Sequence, residues 1–142
     1  MSIILDTGFI VAHLNTRDSR HADVRPLMER VARREWGVPL VSEAVVHEIF
    51  ILFRSRTRSA SLEESARRFL PLPEPVLKGL RAVSLGVGGL PDTAGIFFKH
   101  RDQGISFTDA NLLALMRSLG IEHLATLDDT LVRLAPSAIP SP

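Results

Sequence analysis

An α/β fold, a three-layer α/β/α sandwich around a mostly parallel sheet, is what this chain predicts. Two patterns carry the prediction. Short apolar runs such as Ile3-Ile4-Leu5 and His123 to Leu127 each end on an acidic residue, Asp6 and Asp128. Between such runs lie longer segments whose apolar positions recur every three or four residues, the spacing of one helix face. Strands alternating with helices in this way imply a parallel sheet covered by helices. At 142 residues the chain suffices for one domain with a real core and is too short for two ordinary ones, so residues 1–142 are read as a single domain.

Taken in order, Ile3 to Leu5 is a buried strand entering a turn at Asp6-Thr7-Gly8. From His21 to Arg34, Val24, Leu27, Met28 and Val31 make an amphipathic helix with an arginine-rich outer face. Val38 to Val41 reads as a second strand. Ser42 is placed to cap a helix running through Phe53, although Val45-Val46 and Ile49 to Phe53 also satisfy a buried strand. Ser61-Leu62-Glu63-Glu64 has capping-box spacing and opens a helix to Leu70; Pro71, Pro73 and Pro75 close it.

Ala82 to Leu85 is a strand candidate, followed by a loop at Gly86, Gly88 and Gly89. Leu90-Pro91-Asp92 starts a helix toward His100, with proline in the first turn, and Gly104 ends it. Ser106-Phe107-Thr108-Asp109 opens a strongly apolar helix through Leu119, terminated by Gly120. His123 to Leu127 is a strand delivering Asp128. Thr130 to Leu134 reads as a turn, and the proline-punctuated tail carries no assignment.

Composition removes several function classes. No stretch approaches about 20 uninterrupted apolar residues, and the N-terminus lacks a basic region leading into an apolar run, so a soluble, cytoplasmic protein without a membrane role is expected. Without cysteine there is neither a disulfide framework nor a thiolate nucleophile, and a bound metal must be held by oxygen or imidazole. A formal charge of +1 does not announce a nucleic-acid partner. The charge is unevenly spread, however: through Leu70 there are eleven basic residues, all arginine, against nine acids, which could offer a phosphate-binding face.

Four carboxylates stand where a soluble chain normally places uncharged residues. Asp6 and Asp128 follow apolar strands. Glu48 shares a helical face with Ala44, Val45, Ile51 and Leu52, and Asp109 has Leu112 and Leu113 three and four residues on. Each has an ordinary explanation by itself, as a turn residue, a helix cap or half of an ion pair. Jointly they mean more, because a parallel sheet gathers the ends of its strands and the starts of helices along one edge. Acids converging there repel one another unless a divalent cation neutralises them, and oxygen-only ligands suit Mg²⁺ or Mn²⁺ better than zinc. Such a site serves phosphodiester hydrolysis, in which metal lowers the pKa of an attacking water.

The segments Ile4-Leu5-Asp6-Thr7-Gly8, Val45-Val46-His47-Glu48-Ile49, Ser106-Phe107-Thr108-Asp109-Ala110 and Leu124-Ala125-Thr126-Leu127-Asp128, in this order, resemble PIN-domain ribonucleases, and the pattern is similar to VapC-type toxins of toxin-antitoxin pairs. The resemblance spans Ile3 to about Leu134. It implies a central parallel sheet flanked by helices and a metal-dependent endoribonuclease. It also implies a Mg²⁺ or Mn²⁺ cofactor, an RNA substrate, an antitoxin partner and a homodimer. Asp6, Glu48, Asp109 and Asp128 fall on the family's acidic quartet. Asp6 and Asp109 are expected as metal ligands, Glu48 as a ligand or water-orienting group, and Asp128 as the last acid, with Asp129 adjacent. Gly8 replaces a frequent Ser or Asn of the family, which leaves Thr7 to offer a supporting hydroxyl.

Other candidates carry less. His13, His21, His47, His100 and His123 form no ligand pair by spacing. Arg54, Arg56 and Arg58 alternate after the Glu48 helix and could meet RNA phosphates or an acidic partner, and Lys99 and Arg101 could edge the cleft. Trp36 is a lone aromatic expected to pack. The glycines at 86, 88 and 89 make no phosphate loop, since no Gly-Lys-Ser/Thr follows. A haloacid-dehalogenase-type phosphatase needs a second Asp two residues after the first, where this chain has Gly8. A receiver domain needs paired acids after its first strand and a late lysine, whereas the last lysine is Lys99. A catalytically silent PIN-like module that binds RNA or protein is the alternative to an enzyme.

Overall fold

The computed structural model describes residues 1–72 and 79–140. Its strands are β1 (Ser2–Leu5), β2 (Val38–Ser42), β3 (Arg81–Val83), β4 (His123–Ala125) and β5 (Ala138–Ile139). They form one sheet in the order β3-β2-β1-β4-β5, and every pairing is parallel. Among the described residues seven α-helices accompany them: α1 (Thr7–Leu14), α2 (His21–Ala32), α3 (Glu43–Leu52), α4 (Ala60–Phe69), α5 (Leu90–Lys99), α6 (Phe107–Leu119) and α7 (Asp129–Leu134). The result is the expected three-layer α/β/α sandwich.

β1 is the centre of the sheet, with β2 on one side and β4 on the other. Ile4 lies opposite Leu40 in one neighbour and Leu124 in the other. A strand covered on both faces has no polar face, which explains why Ile3, Ile4 and Leu5 form a continuous apolar run rather than an alternating one. Against the sheet pack Phe9 and Ile10 of α1, Val45 and Ile49 of α3, and Leu112 and Leu115 of α6, all fully buried. The chain leaves β1 toward β2 and β3, then returns past β1 to add β4 and β5. The order therefore reverses between β1 and β4, and the crevice beyond the carboxyl ends of these strands is where ligands of open α/β sheets bind.

Several expectations change. The turn at Asp6-Thr7-Gly8 is instead the immediate start of α1, with Asp6 as its N-cap. α1 escapes a periodicity search because its Phe9, Ile10 and Ala12 are buried and Val11 and Leu14 also pack on the core, so no polar stripe marks it. α4 is capped by Ser59, not Ser61. Arg58 takes a left-handed conformation at φ 47°, which ends the π-helical turn Phe53–Thr57 and lets α4 begin at Ala60, two residues earlier than the capping-box spacing suggests. Glu64, the acid of that spacing, pairs instead with Arg67, and Glu63 accepts a hydrogen bond from Arg54 Nε at 2.7 Å.

Thr130 to Leu134 is helical, as part of α7, and Ala138–Ile139 adds an edge strand that the tail did not suggest. The strand after His123 stops at Ala125, and β3 covers Arg81–Val83 instead of Ala82 to Leu85. The ambiguous segment after Ser42 is helical, with Ser42 Oγ accepting the Val45 N–H at 3.1 Å. The closing prolines Pro73 and Pro75 lie outside the described residues. Among the described residues no helix is long and apolar enough to cross a membrane.

Leu124, fully buried on β4 beside β1, gives a direct check on this packing. Leu124→Ala should cost about 2–5 kcal/mol in denaturant unfolding, the range for buried leucine truncations. A loss under about 1 kcal/mol would mean that β4 is not held in the core as described.

Candidate active site

Asp6 ends β1 and is only 7 % exposed. Its backbone N–H continues the sheet ladder to the Ala125 carbonyl at 2.9 Å, so the β1–β4 pairing sets where its side chain starts. One carboxylate oxygen, Oδ1, accepts the Thr7 N–H at 2.7 Å; the other, Oδ2, accepts the Thr126 hydroxyl at 2.8 Å. Thr126 is fully buried, and its hydroxyl oxygen also accepts the Asp128 N–H at 3.1 Å. A single threonine thus ties the acid after β1 to the backbone of the acid after β4.

Asp109 stands in the first turn of α6. Its Oδ2 accepts the Ser106 N–H at 2.8 Å, while Ser106 Oγ accepts the Asp109 N–H at 3.0 Å, a reciprocal capping box. Asp128 is the N-cap of α7, with Oδ1 accepting from Thr130 N at 2.8 Å and Leu131 N at 3.1 Å. Glu48 lies mid-helix in α3, half-buried, with no such commitment.

The charges of Asp109 and Glu48 act on Asp6, and those of Asp128 and Glu48 act on Asp109. Burial pushes Asp6 from an ordinary 3.8 up to about 6, and the charges of Asp109 and Glu48 add to the rise against the hydrogen bonds that oppose it. Asp109 is raised too, first by burial and then by Asp128 and Glu48, again against its Ser106 hydrogen bonds. The charge on Asp109 from this end of the sheet comes from Asp128, the N-cap of α7.

A divalent cation fits this donor set in its chemistry: every coupled group is an oxygen anion, and the repulsion that raises Asp6 and Asp109 is what a cation relieves. Thr7 Oγ1, buried with no hydrogen-bond partner, leaves a further oxygen uncommitted next to Asp6. The geometry is more open than the chemistry. Among the described residues no set of three or more imidazole or carboxylate groups is already arranged to hold an ion. Capping explains part of this, since Asp6, Asp109 and Asp128 each direct oxygen at backbone N–H groups.

The remaining candidates disperse. Arg54 is bound to Glu63, whereas Arg56 and Arg58 are exposed and make no ion pair with described residues. Lys99 lines a separate groove with Ile96, Met116, Arg117 and Leu134 that contains none of the four acids. Arg101 lies over the Phe98 ring at 5.6 Å. Trp36 packs on the core beneath the Arg30 guanidinium, 4.4 Å from it. Of the histidines, His47 comes nearest the acids in sequence and pairs with Glu43 at 3.7 Å.

Thr126 is the residue that sequence reasoning missed. Thr7 was expected to supply the supporting hydroxyl, yet its backbone N–H is what holds Asp6, and the hydroxyl at Asp6 comes from 120 residues away. A threonine two positions before Asp128, at the end of an apolar strand, was the only available signal.

The sequence matches the PIN domain family profile over residues 3–136. No curated protein matches it significantly. Among solved structures, VapC20 of Mycobacterium tuberculosis, a sarcin-ricin loop cleaving toxin, superposes with a TM-score of 0.75 at 22% sequence identity, covering 93% of this chain and 94% of that one. VapBC2 of Rickettsia felis, bound to a DNA fragment from its promoter, gives 0.65 at 15% identity, over 97% and 96%. A protein of Pyrobaculum aerophilum gives 0.60 at 16%, over 98% and 91%. At these identities the structural likeness speaks to the fold.

The raised Asp6 pKa has a signed consequence. The folded protein holds this proton more tightly than the unfolded chain does, so the contribution of Asp6 is most favourable below about pH 4 and is lost as pH rises to about 6. Ionised Asp6 then opposes folding by roughly 3 kcal/mol, at 1.36 kcal/mol per pKa unit. In EDTA, Asp6→Asn should therefore be more stable than the wild type at pH 7, with the gap shrinking toward pH 4; equal melting temperatures across that range would refute the burial argument. Thr126→Val removes a donor that holds the pKa down, so NMR titration of the Asp6 carboxyl carbon should move upward in that variant, and an unchanged midpoint would dissociate the two residues.

Proposed function

The chain belongs to the PIN domain family, and from that premise we propose that it is a metal-dependent endoribonuclease that hydrolyses RNA phosphodiester bonds as the toxin of a toxin-antitoxin pair. The observation that carries the reading is the electrostatic coupling of Asp6, Glu48, Asp109 and Asp128 around the sheet's switch point, with Asp6 buried at its centre. Isolated helix caps do not need a buried, strongly shifted carboxyl among them. Perturbed carboxyls in a crevice are what a hydrolytic site requires.

Asp6 and Asp109 are the ligands we assign to Mg²⁺ or Mn²⁺, with Glu48 and Asp128 completing the set. When bound, the ion supplies an activated water and stabilises charge on the phosphate. The protein's own part is positioning. Thr126 and the Thr7 N–H hold Asp6 against rotation, and the capping box holds Asp109. Glu48, free of backbone commitments on α3, is the group able to turn toward a water and take its proton.

VapC20 is described as a sarcin-ricin loop cleaving toxin and VapBC2 as bound to promoter DNA. Both support a toxin role, an antitoxin protein as partner and a cytoplasmic setting for this chain. We further assign residues 1–142 to one PIN-like domain that acts as a homodimer. A second reading, a silent module that binds RNA or protein without cleaving, draws support from the open spacing of the carboxylates.

Purified protein should cleave structured RNA in Mg²⁺ or Mn²⁺ and stop when EDTA is added. Asp109→Asn should lower the rate by more than about a hundredfold, because losing even a supporting group at a metal site costs roughly ten- to hundredfold. Cleavage that survives either change would rule out the mechanism. Calorimetry decides between the two readings: Mn²⁺ binding that Asp109→Asn abolishes supports the nuclease, and no Mn²⁺ binding supports the silent module.

A further inference from the structure

We propose that the groove between α3 and the turn at Val87–Gly89 is a nucleobase pocket, taking one base of the RNA beside the bond that the carboxylate cluster cleaves. The proposal rests on the nuclease reading for its substrate and on the groove itself for its chemistry. The groove measures about 690 Å³, within the roughly 300–1,000 Å³ of small-ligand sites. Glu48 lines it, and so does Ser106, the partner of Asp109 in the capping box. Whatever occupies the groove therefore lies next to the acids.

Its walls are apolar and uncovered. Ile51 on α3 is 64% exposed; across from it Val87 is 84% and Leu90 51% exposed. Three of the seven large apolar side chains left exposed among the described residues meet in this one groove, which is concentration rather than ordinary scatter. Facing apolar walls suit a flat, apolar-faced group slid between them.

Three polar side chains of the lining keep hydrogen-bonding capacity to spare. The Thr108 hydroxyl makes no hydrogen bond with described residues. Asn111 Nδ2 reaches Thr93 Oγ1 at 3.4 Å, which leaves its side-chain carbonyl unused. Ser84 accepts from the Gly86 N–H at 2.9 Å and keeps its own proton to donate. Donors and an acceptor at the rim of an apolar slot match a base, whose faces are apolar and whose edges carry hydrogen-bonding groups.

Charge selects between the parts of a nucleotide. Glu43 and Glu48 line the groove together with His47, which stands 3.7 Å from Glu43, and neither lysine nor arginine does, so the acids outnumber the one imidazole. A phosphate would be repelled, whereas a neutral base would not. An aliphatic protein side chain would fit the walls but leave the hydroxyl and amide groups without partners, so the base is the better occupant.

Two measurements test this. In the first, methyl NMR follows Ile51, Val87 and Leu90 in EDTA while adenosine, guanosine, cytidine, uridine, inorganic phosphate or N-acetyl-leucinamide is added. At least one nucleoside should shift these methyl signals, and phosphate should not. No shift by any nucleoside, or shifts by N-acetyl-leucinamide alone, would overturn the pocket and in the latter case reassign it to a protein partner. In the second, short single-stranded RNAs with one varied base are cleaved in Mn²⁺. The wild type should prefer particular bases next to the cut, and Asn111→Ala should weaken that preference about tenfold, the worth of one hydrogen bond. Val87→Ala, an exposed change that leaves the core intact, should raise KM several-fold.

Cleavage with no base preference, or with preferences that both variants leave alone, counts against the pocket while leaving the nuclease standing. If no RNA is cleaved, the nuclease reading fails and the nucleoside titration alone judges the pocket.

Discussion

A carboxylate held at the end of the most enclosed strand is the constraint from which the rest of this molecule follows. Asp6 cannot retreat to solvent, because its own N–H is a rung of the β1–β4 ladder and the residues just before it are core. Nor can it ionise cheaply, since burial and the neighbouring acids both disfavour the charge. The structure answers with two hydrogen bonds, from Thr7 N–H and the Thr126 hydroxyl, and leaves the residual repulsion standing. A site whose charge is unbalanced in this way is primed for a cation, at the expense of stability in the cation's absence.

Three of the four acids do two things at once. Asp6, Asp128 and Asp109 satisfy free N–H groups at the starts of α1, α7 and α6, as acids in first turns commonly do. The capping reading and the functional reading are thus not rivals: capping is the means by which short side chains are aimed. It also limits them, because an oxygen directed at a backbone N–H is less available to a metal. Glu48 differs, since a mid-helix position gives it no cap to serve and a longer side chain to swing. Three acids tied to backbone N–H groups at helix starts and a fourth, Glu48, without such a tie differ through secondary structure alone.

The groove beside Glu48 extends this logic from chemistry to recognition. Its apolar walls come from α3, which also carries Glu48, and from the turn ahead of α5. Exposed Ile51 and Glu48 are three residues apart, so one helical turn presents both the carboxylate and the wall. Movement of that helix would shift both together.

Much was legible from residues in order. The strands at Ile3 and Val38, the start of α6 at Ser106 and Gly120 as its stop are local signals, written in periodicity and cap chemistry that act over a few residues. What failed was also local in cause: α1 is buried on nearly every side, so its sequence shows no stripe, and β5 is two residues long, too short for any pattern. Thr126 was invisible because its meaning depends on a partner 120 positions away. Residue order fixes most of the strands and helices and shows that acids stand at their ends, but not α1, α7 or β5. That Asp128 acts on Asp109 and that Thr126 holds Asp6 became visible in the folded chain alone. Propensity and capping are short-range, whereas burial, repulsion between acids and the reversal of strand order exist only once the sheet has brought distant segments together.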